Sequence, residues 1–185
     1  MLEKIIHLDK ELFVFLNGLG SETFDGLWLA ITKQFYWTPF FLVVFYFLQK
    51  KIGWKSFGFY VLFVAVLIFV CDQTANLFKD FFQRLRPCND EEIKHIIRIV
   101  KSSDTFSFFS GHAANSMATT VFTFFILRKE YKQAYLLFLF PLIFAYSRIY
   151  LGMHFPGDIL AGYACGAIFG FACYKLYAKY ILRHT

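Results

Sequence analysis

The chain has 185 residues, 58% of them hydrophobic and only 17% charged, with 27 phenylalanines, a net charge of +6 and a mean hydropathy of +0.50. Disorder needs low hydrophobicity and is excluded, and a compact soluble domain this small would be left with far more apolar surface than one core can absorb. The class that fits is an all-α integral membrane helix bundle; its basic residues sit in short loops between apolar runs rather than on one soluble face, so no nucleic-acid partner is expected.

Residues 1–20 carry charges through their first half and lack the long apolar core and cleavage site of a signal peptide. Ile5, Leu8, Leu12, Phe15 and Leu19 recur at helical spacing. Residues 1–23 are therefore set apart as an amphipathic segment, which either lies in the membrane interface or packs on the other helices. A membrane-embedded domain over 24–185 follows. A spanning helix needs about 20 mostly apolar residues, and five stretches qualify: one within 24–49, with Pro39 as a break or restart, then 57–78, 110–127, 131–150 and 156–177. A sixth span would have to come from the N-terminal helix, which is short and charged for that task.

The bases sort by side. Lys50, Lys51 and Lys55 join the first two spans, Arg128, Lys129 and Lys132 join the third and fourth, and Lys175, Lys179 and Arg183 follow the fifth. These segments fall on one side by alternation. They hold 9 bases and one acid, Glu130, against 10 bases and 12 acids elsewhere, so the positive-inside rule makes them and the C-terminus cytoplasmic. Gly162, Gly166 and Gly170 repeat every four residues in the last span, a small-xxx-small pattern that lets two helices approach closely. Cys71, Cys88, Cys165 and Cys173 show neither CxxC nor metal-ligand spacing and read as small buried hydrophobes.

Three polar clusters gather on the opposite face. In KDFFQRLRP, Lys79 and Arg86 are two helical turns apart and share a face if the helix continues, which suits a polyanion such as phosphate; the alternative is snorkelling to lipid headgroups, which fits Arg84 better than a site does. In FFSGH, Ser110 is a natural N-cap, Gly111 allows close backbone approach, and His112 is placed to exchange a proton at a helix N-terminus suited to anions; capping alone would also explain the serine. In SRIYLGMHFPGD, Arg148 closes one span, and His154 and Asp158 flank the start of the next, with Pro156 in its first turn. Asp158 accepting from one ring nitrogen of His154 leaves the other free to attack, unless the pair is a structural hydrogen bond. Asp72, with Gln73 and Asn76, is an intramembrane acid and so a functional candidate, though a hydrogen bond holding its span to a neighbour is the favoured reading. The loop 88–109 either covers the site and selects the headgroup or is a solvated loop.

K-x6-RP (Lys79, Arg86, Pro87), SGH (Ser110, Gly111, His112) and SR-x5-H-x3-D (Ser147, Arg148, His154, Asp158) together resemble the three signature motifs of the type 2 phosphatidic acid phosphatase superfamily, in order and in spacing. The motif region covers 79–158. One departure is visible: Phe109 stands where the family usually has proline before SGH, which bears on the loop and on substrate contacts but removes no catalytic group. The resemblance implies that Lys79, Arg86 and Arg148 hold the phosphate oxygens, assisted by Ser110 and the Gly111 amide. It implies that His154 attacks phosphorus to give a phosphohistidine, that Asp158 orients His154, and that His112 protonates the leaving oxygen and then activates water. It implies no metal and no cofactor, since the cations do that neutralisation. The short chain looks like bacterial members that act on envelope lipids. Undecaprenyl diphosphate and lipid A phosphate are expected ahead of phosphatidic acid and phosphatidylglycerol phosphate, at the periplasmic face of the inner membrane. The expected partners are that lipid phosphate and the membrane lipids, with no obligatory protein partner. A transporter, or a non-catalytic lipid-binding protein, is the rival reading.

Overall fold

The structure, a computed structural model, describes residues 2–182; Arg183, counted above among the cytoplasmic bases, lies outside them. The described residues form six α-helices and no strand: α1 Leu2–Gly18, α2 Glu22–Ile31, α3 Thr38–Phe82, α4 Gly111–Leu127, α5 Leu139–Tyr150 and α6 Pro156–Tyr180, with short 3-10 turns at Gln34–Trp37, Pro87–Asn89 and Lys132–Phe138.

Among the described residues, three stretches are long and apolar enough to cross a membrane: Gln34–Asn89, Lys132–Tyr150 and Pro156–Tyr180. The first is not one rod. Gly53 has φ 74° and ψ 165°, a backbone that breaks the helix and that glycine tolerates. The Phe45 ring lies 5.6 Å from Phe57 and 6.4 Å from Tyr60, whereas residues twelve apart on a straight helix are separated by about 18 Å. The two arms of α3, 38–52 and 54–82, therefore fold back on each other. Within 24–49 the expected break or restart at Pro39 is present. Residues 24–31 belong to the separate short helix α2, and Pro39, at the first turn of α3, restarts the chain as a new helix.

No residue of α4 is exposed. Ser110 caps it by accepting from Ala113 N–H at 3.4 Å, and its residues from Ala113 to Leu127 are largely buried. α6 crosses it along the Gly162–Gly166–Gly170 face. A Cβ at Gly162 would stand 2.7 Å from the Ser110 carbonyl oxygen, and one at Gly166 or Gly170 would collide with the carbonyl of Ala114 or Ala118. The outward sides of α3 and α6 carry exposed Leu42, Phe69, Leu160 and Ile168, the apolar surface that lipid covers.

α1 packs on the bundle through the face opposite its apolar stripe. Phe13 and Asn17 are fully buried, Phe13 stacking edge-on against Phe155 at 5.3 Å, and Asn17 bonding to the carbonyls of Arg98, Ile149 and Tyr150. Ile5, Leu8, Leu12, Phe15 and Leu19 all point outward. The helix thus both packs and offers an apolar face to its surroundings.

The basic segments do share one end. Lys51 pairs with Glu130 at 2.7 Å, Phe47 meets Tyr131 at 5.1 Å, and the Tyr177 hydroxyl donates to the Ser56 carbonyl at 2.7 Å. The three polar clusters meet at the other end.

Candidate active site

Helix α3 stops at Phe82 because Gln83 takes a left-handed conformation (φ 46°), and the chain then runs extended to Pro87. Lys79 and Arg86 consequently do not share a helix face, as continuation would have required. The turn brings them together by another route. Thr32, Gln34, Asp72, Lys79, Arg86, Gly111, His112, Asn115, Arg148 and His154 line one cavity of about 420 Å³. Six of the eight residues singled out from the sequence are on that wall. Asp158 lies behind it. Ser110 is fully buried and absent from the lining, with its hydroxyl engaged as the α4 cap.

Arg86 is held rigidly. Nε donates to the Thr105 carbonyl at 2.8 Å, Nη2 to Thr105 Oγ1 at 2.8 Å, and Nη1 to the Met153 carbonyl at 3.0 Å and to His154 Nε2 at 3.1 Å. A guanidinium has no acceptor, so Nε2 accepts and the ring proton sits on Nδ1. Nδ1 lies 3.3 Å from Ser107 Oγ and 3.5 Å from Asp158 Oδ2. The Ser107 hydroxyl in turn makes a short hydrogen bond to Asp158 Oδ2, which also accepts from Phe155 N–H at 2.9 Å. Burial pushes the His154 imidazole down to about 4 against the opposing pull of Asp158, so it is neutral near pH 7. His154 and the Arg86 group that its Nε2 accepts from both line the cavity.

Arg148 is buried at the end of α5, with Nη1 donating to Thr32 Oγ1 at 2.8 Å and Nε buried without a partner, so donors remain for an anion. His112, in the first turn of α4, stacks on Phe144 with ring centres 5.2 Å apart. Asp72 accepts from Asn115 Nδ2 at 2.7 Å, tying α3 to α4 as the packing reading expects. Phe109, at the family's proline position, is buried against Phe78 at 5.2 Å and is not on the cavity wall.

Arg84 corrects the snorkelling expectation. It pairs with Asp158 at 2.8 Å and with Asp9 of α1 at 2.6 Å, over the Phe155 ring. The loop 88–109 is also more than a solvated connection, since Thr105 anchors Arg86 and Ser107 bridges His154 and Asp158. Ser107, Thr105, Thr32, Arg84 and Asp9 were not legible as site residues. Each meets its partner from 19 to 116 residues away, and no local spacing marks them.

A second, apolar pocket of about 240 Å³ opens between the two arms of α3, α4 and α5, lined by Phe40, Val44, Tyr60, Val64, Leu137 and Phe140 among others. Gln34 and Asn115 line both cavities, so the two meet at an amide collar.

A family model described as the PAP2 superfamily matches residues 55–181, more than half of the chain and all three motifs. The chain belongs to the PAP2 superfamily. It is an enzyme of the lipid phosphatase class and an integral membrane protein. Among curated relatives, this PAP2 enzyme is 34% identical to a lipid A 4′-phosphatase of Bacteroides thetaiotaomicron, over 99% of this chain and 83% of that protein. It is 31% identical to a lipid A 4′-phosphatase of Porphyromonas gingivalis, over 95% of this chain and 75% of that one. Among solved structures its fold matches the PAP2-type phosphatidylglycerolphosphate phosphatase of Bacillus subtilis with a TM-score of 0.74 at 18% identity, covering 96% of this chain and 88% of that one. It matches Aquifex aeolicus LpxE with a TM-score of 0.68 at 24% identity, covering 89% and 93%.

Proposed function

We propose that this PAP2 enzyme removes a phosphate from lipid A, without a metal, through a phosphohistidine formed on His154. The observation that carries this reading is His154 on the wall of a cavity whose cations are Lys79, Arg86 and Arg148, with its Nε2 accepting from Arg86. Nε2 attacks phosphorus, the ester P–O bond breaks, and its electron pair goes to the leaving oxygen, which takes a proton from His112. His112 then takes a proton from water as that water attacks the phosphohistidine, releasing inorganic phosphate and neutral His154. Fixed cations around the transferred group supply most of the barrier lowering. Asp158 orients His154 and stabilises the charge on its ring.

Lipid A is favoured because two relatives named for it align along 95% or more of this chain. The apolar pocket beside the polar one suits an acyl chain, and the amide collar of Gln34 and Asn115 suits the polar sugar between chain and phosphate. We further infer five membrane crossings: the two arms of α3, α4, α5 with its preceding turn, and α6. The basic end then faces the cytoplasm, and the site opens on the extracytoplasmic face of the inner membrane.

Purified protein in detergent tests the reading. His154→Ala and His112→Ala should each abolish phosphate release from lipid A while remaining folded, and the wild type should carry an acid-labile phosphoryl group after a rapid quench. Near-normal turnover by His154→Ala overturns the assignment. Complete, metal-reversible loss in EDTA overturns metal independence. Lipid A, undecaprenyl diphosphate, phosphatidic acid and phosphatidylglycerol phosphate compared by kcat/KM decide the substrate.

A further inference from the structure

Asp158 has a second set of contacts that the phosphoryl transfer does not use. Its Oδ1 accepts from Arg84 Nη1 at 2.8 Å, and the other arm of Arg84, Nη2, reaches Asp9 Oδ2 at 2.6 Å. The remaining oxygen of Asp9 accepts from Gly157 N–H at 2.7 Å, in the first turn of α6, three residues after His154. That seat is tight, since a Cβ at Gly157 would stand 2.8 Å from Asp9 Oδ2. The Arg84 guanidinium is pressed 4.0 Å over the Phe155 ring. A continuous run of charge thus passes from His154 to Asp158, Arg84 and Asp9, ending on α1.

The groups facing His154 from the cavity side are Arg86 of the loop, Arg148 of α5, Lys79 of α3 and the His112 ring of α4. These cations hold phosphate, and they also make Nε2 a poorer base and nucleophile. The opposing field comes from behind, from Asp158. Arg84 alone would cancel much of that field, and Asp9 restores it by neutralising Arg84. Both partners are mostly shielded from water, with side chains 24% and 12% exposed, so their charges are incompletely screened.

We propose that Asp9 and Arg84 are positioning residues which set the basicity of His154 through Asp158, so that helix α1 contributes a charge to the active site. This rests on His154 being the nucleophile. It predicts opposite effects from breaking the same ion pair at either end. Asp9→Asn keeps an acceptor for Gly157 N–H but leaves Arg84 unneutralised, which lowers the basicity of His154. Arg84→Gln removes the cation beside Asp158, which raises it.

The test is the pH dependence of kcat/KM for detergent-purified wild type, D9N, R84Q and the D9N/R84Q double variant, using the lipid phosphate turned over fastest in the panel above, so that substrate ionisation is common to all. The acid limb should move down in D9N and up in R84Q, each by about 0.5 pH unit, and return towards wild type in the double variant. Limbs that do not move, that move the same way in both single variants, or a double variant as impaired as the worse single one overturn the proposal, because an ion pair with only a structural role gives those results. Should R84Q not purify, D9N alone decides: a limb moved downward supports the proposal and an unmoved one overturns it. H154A is measured alongside. Turnover retained there refutes the nucleophile assignment itself, whereas turnover lost there with unmoved limbs refutes only the role of Asp9 and Arg84.

Discussion

Arg86 donates Nη1–H to Nε2 of His154 across 3.1 Å, so the cation proposed to hold the phosphate covers the lone pair of the proposed nucleophile. Three more of its five N–H groups are fixed on Thr105 and Met153, which holds the guanidinium in place. In the proposed reaction, phosphate binding exchanges one acceptor, the imidazole, for a better one, an anionic oxygen, and frees Nε2 for the attack. The same contact fixes the tautomer, with the proton on Nδ1 facing Ser107 and Asp158.

Arg86→Lys keeps the charge but cannot make the four contacts of the planar fork. It should lower kcat/KM by about 100-fold, and Arg86→Ala by about 1,000-fold, the range seen when a preorganised transition-state donor is lost. Phosphate release from lipid A in detergent measures both. A lysine variant within about threefold of wild type would mean that only charge matters here.

Ser107 stands between the imidazole and the carboxylate. Its hydroxyl donates to Asp158 Oδ2, leaving its oxygen to accept from His154 Nδ1–H. Ser107→Ala leaves Asp158 with Phe155 N–H and Arg84, and leaves the 3.5 Å His154–Asp158 approach unbridged. One hydrogen bond of about 1.5 kcal/mol lost from the orientation of the ring corresponds to about a tenfold fall in kcat. KM should change little, because the hydroxyl is not on the cavity wall. A fall confined to KM would place Ser107 on the substrate instead.

Why Ser107 escaped the sequence reading while His154 did not is a matter of distance along the chain. His154 and Asp158 are four apart at a helix start, and Ser110, Gly111 and His112 open another helix, so local periodicity and capping rules reach them. The helix limits at 111, 127, 150 and 156 follow from the same rules. Ser107 joins its partners across 47 and 51 residues, and Arg84 joins Asp9 across 75. Only the folded bundle brings them together. Arg84 was misread for a second reason, since a lone arginine near a helix end is compatible with lipid contact unless the opposing carboxylates are known. The α1 stripe of Ile5, Leu8 and Leu12 was visible as a stripe, but its direction depends on the polar face: Asp9 and Asn17 find buried partners, which turns the apolar side outward.

The depressed His154 value has a consequence for stability. The ring titrates near 4 when folded and near 6.5 when unfolded. Between those values the unfolded chain binds the extra proton, so stability falls as pH drops from 6.5 towards 4 and levels off below. The loss has an upper limit of about 3 kcal/mol. Thermal unfolding midpoints in detergent at pH 7, 6, 5 and 4.5 should therefore fall more steeply for wild type than for His154→Asn, which cannot take up that proton. Parallel curves would show that His154 is not held neutral by burial.

The close approach of α6 to α4 sets a limit on its side chains. A Cβ at Gly170 would collide with the Ala118 carbonyl and stand 3.0 Å from that residue's C and Cα atoms, and none of these is a flexible side chain that could yield. Gly170→Ala should therefore cost about 1–3 kcal/mol, as overpacking does, which lowers the unfolding midpoint by about 2–12 °C. Gly170 lies three turns beyond Asp158, so kcat/KM of the folded fraction should stay near wild type. Gly162→Ala is different. Its Cβ would press on the Ser110 carbonyl and the Ala113 Cβ, at the turn of α4 that carries His112, so it should lower kcat/KM as well as the midpoint. Gly58→Ala is the control, since nothing lies within 4 Å of a Cβ there and helix propensity favours alanine; it should hold or raise the midpoint. Equal midpoints for Gly58→Ala and Gly170→Ala would show that α4 and α6 do not meet along this face.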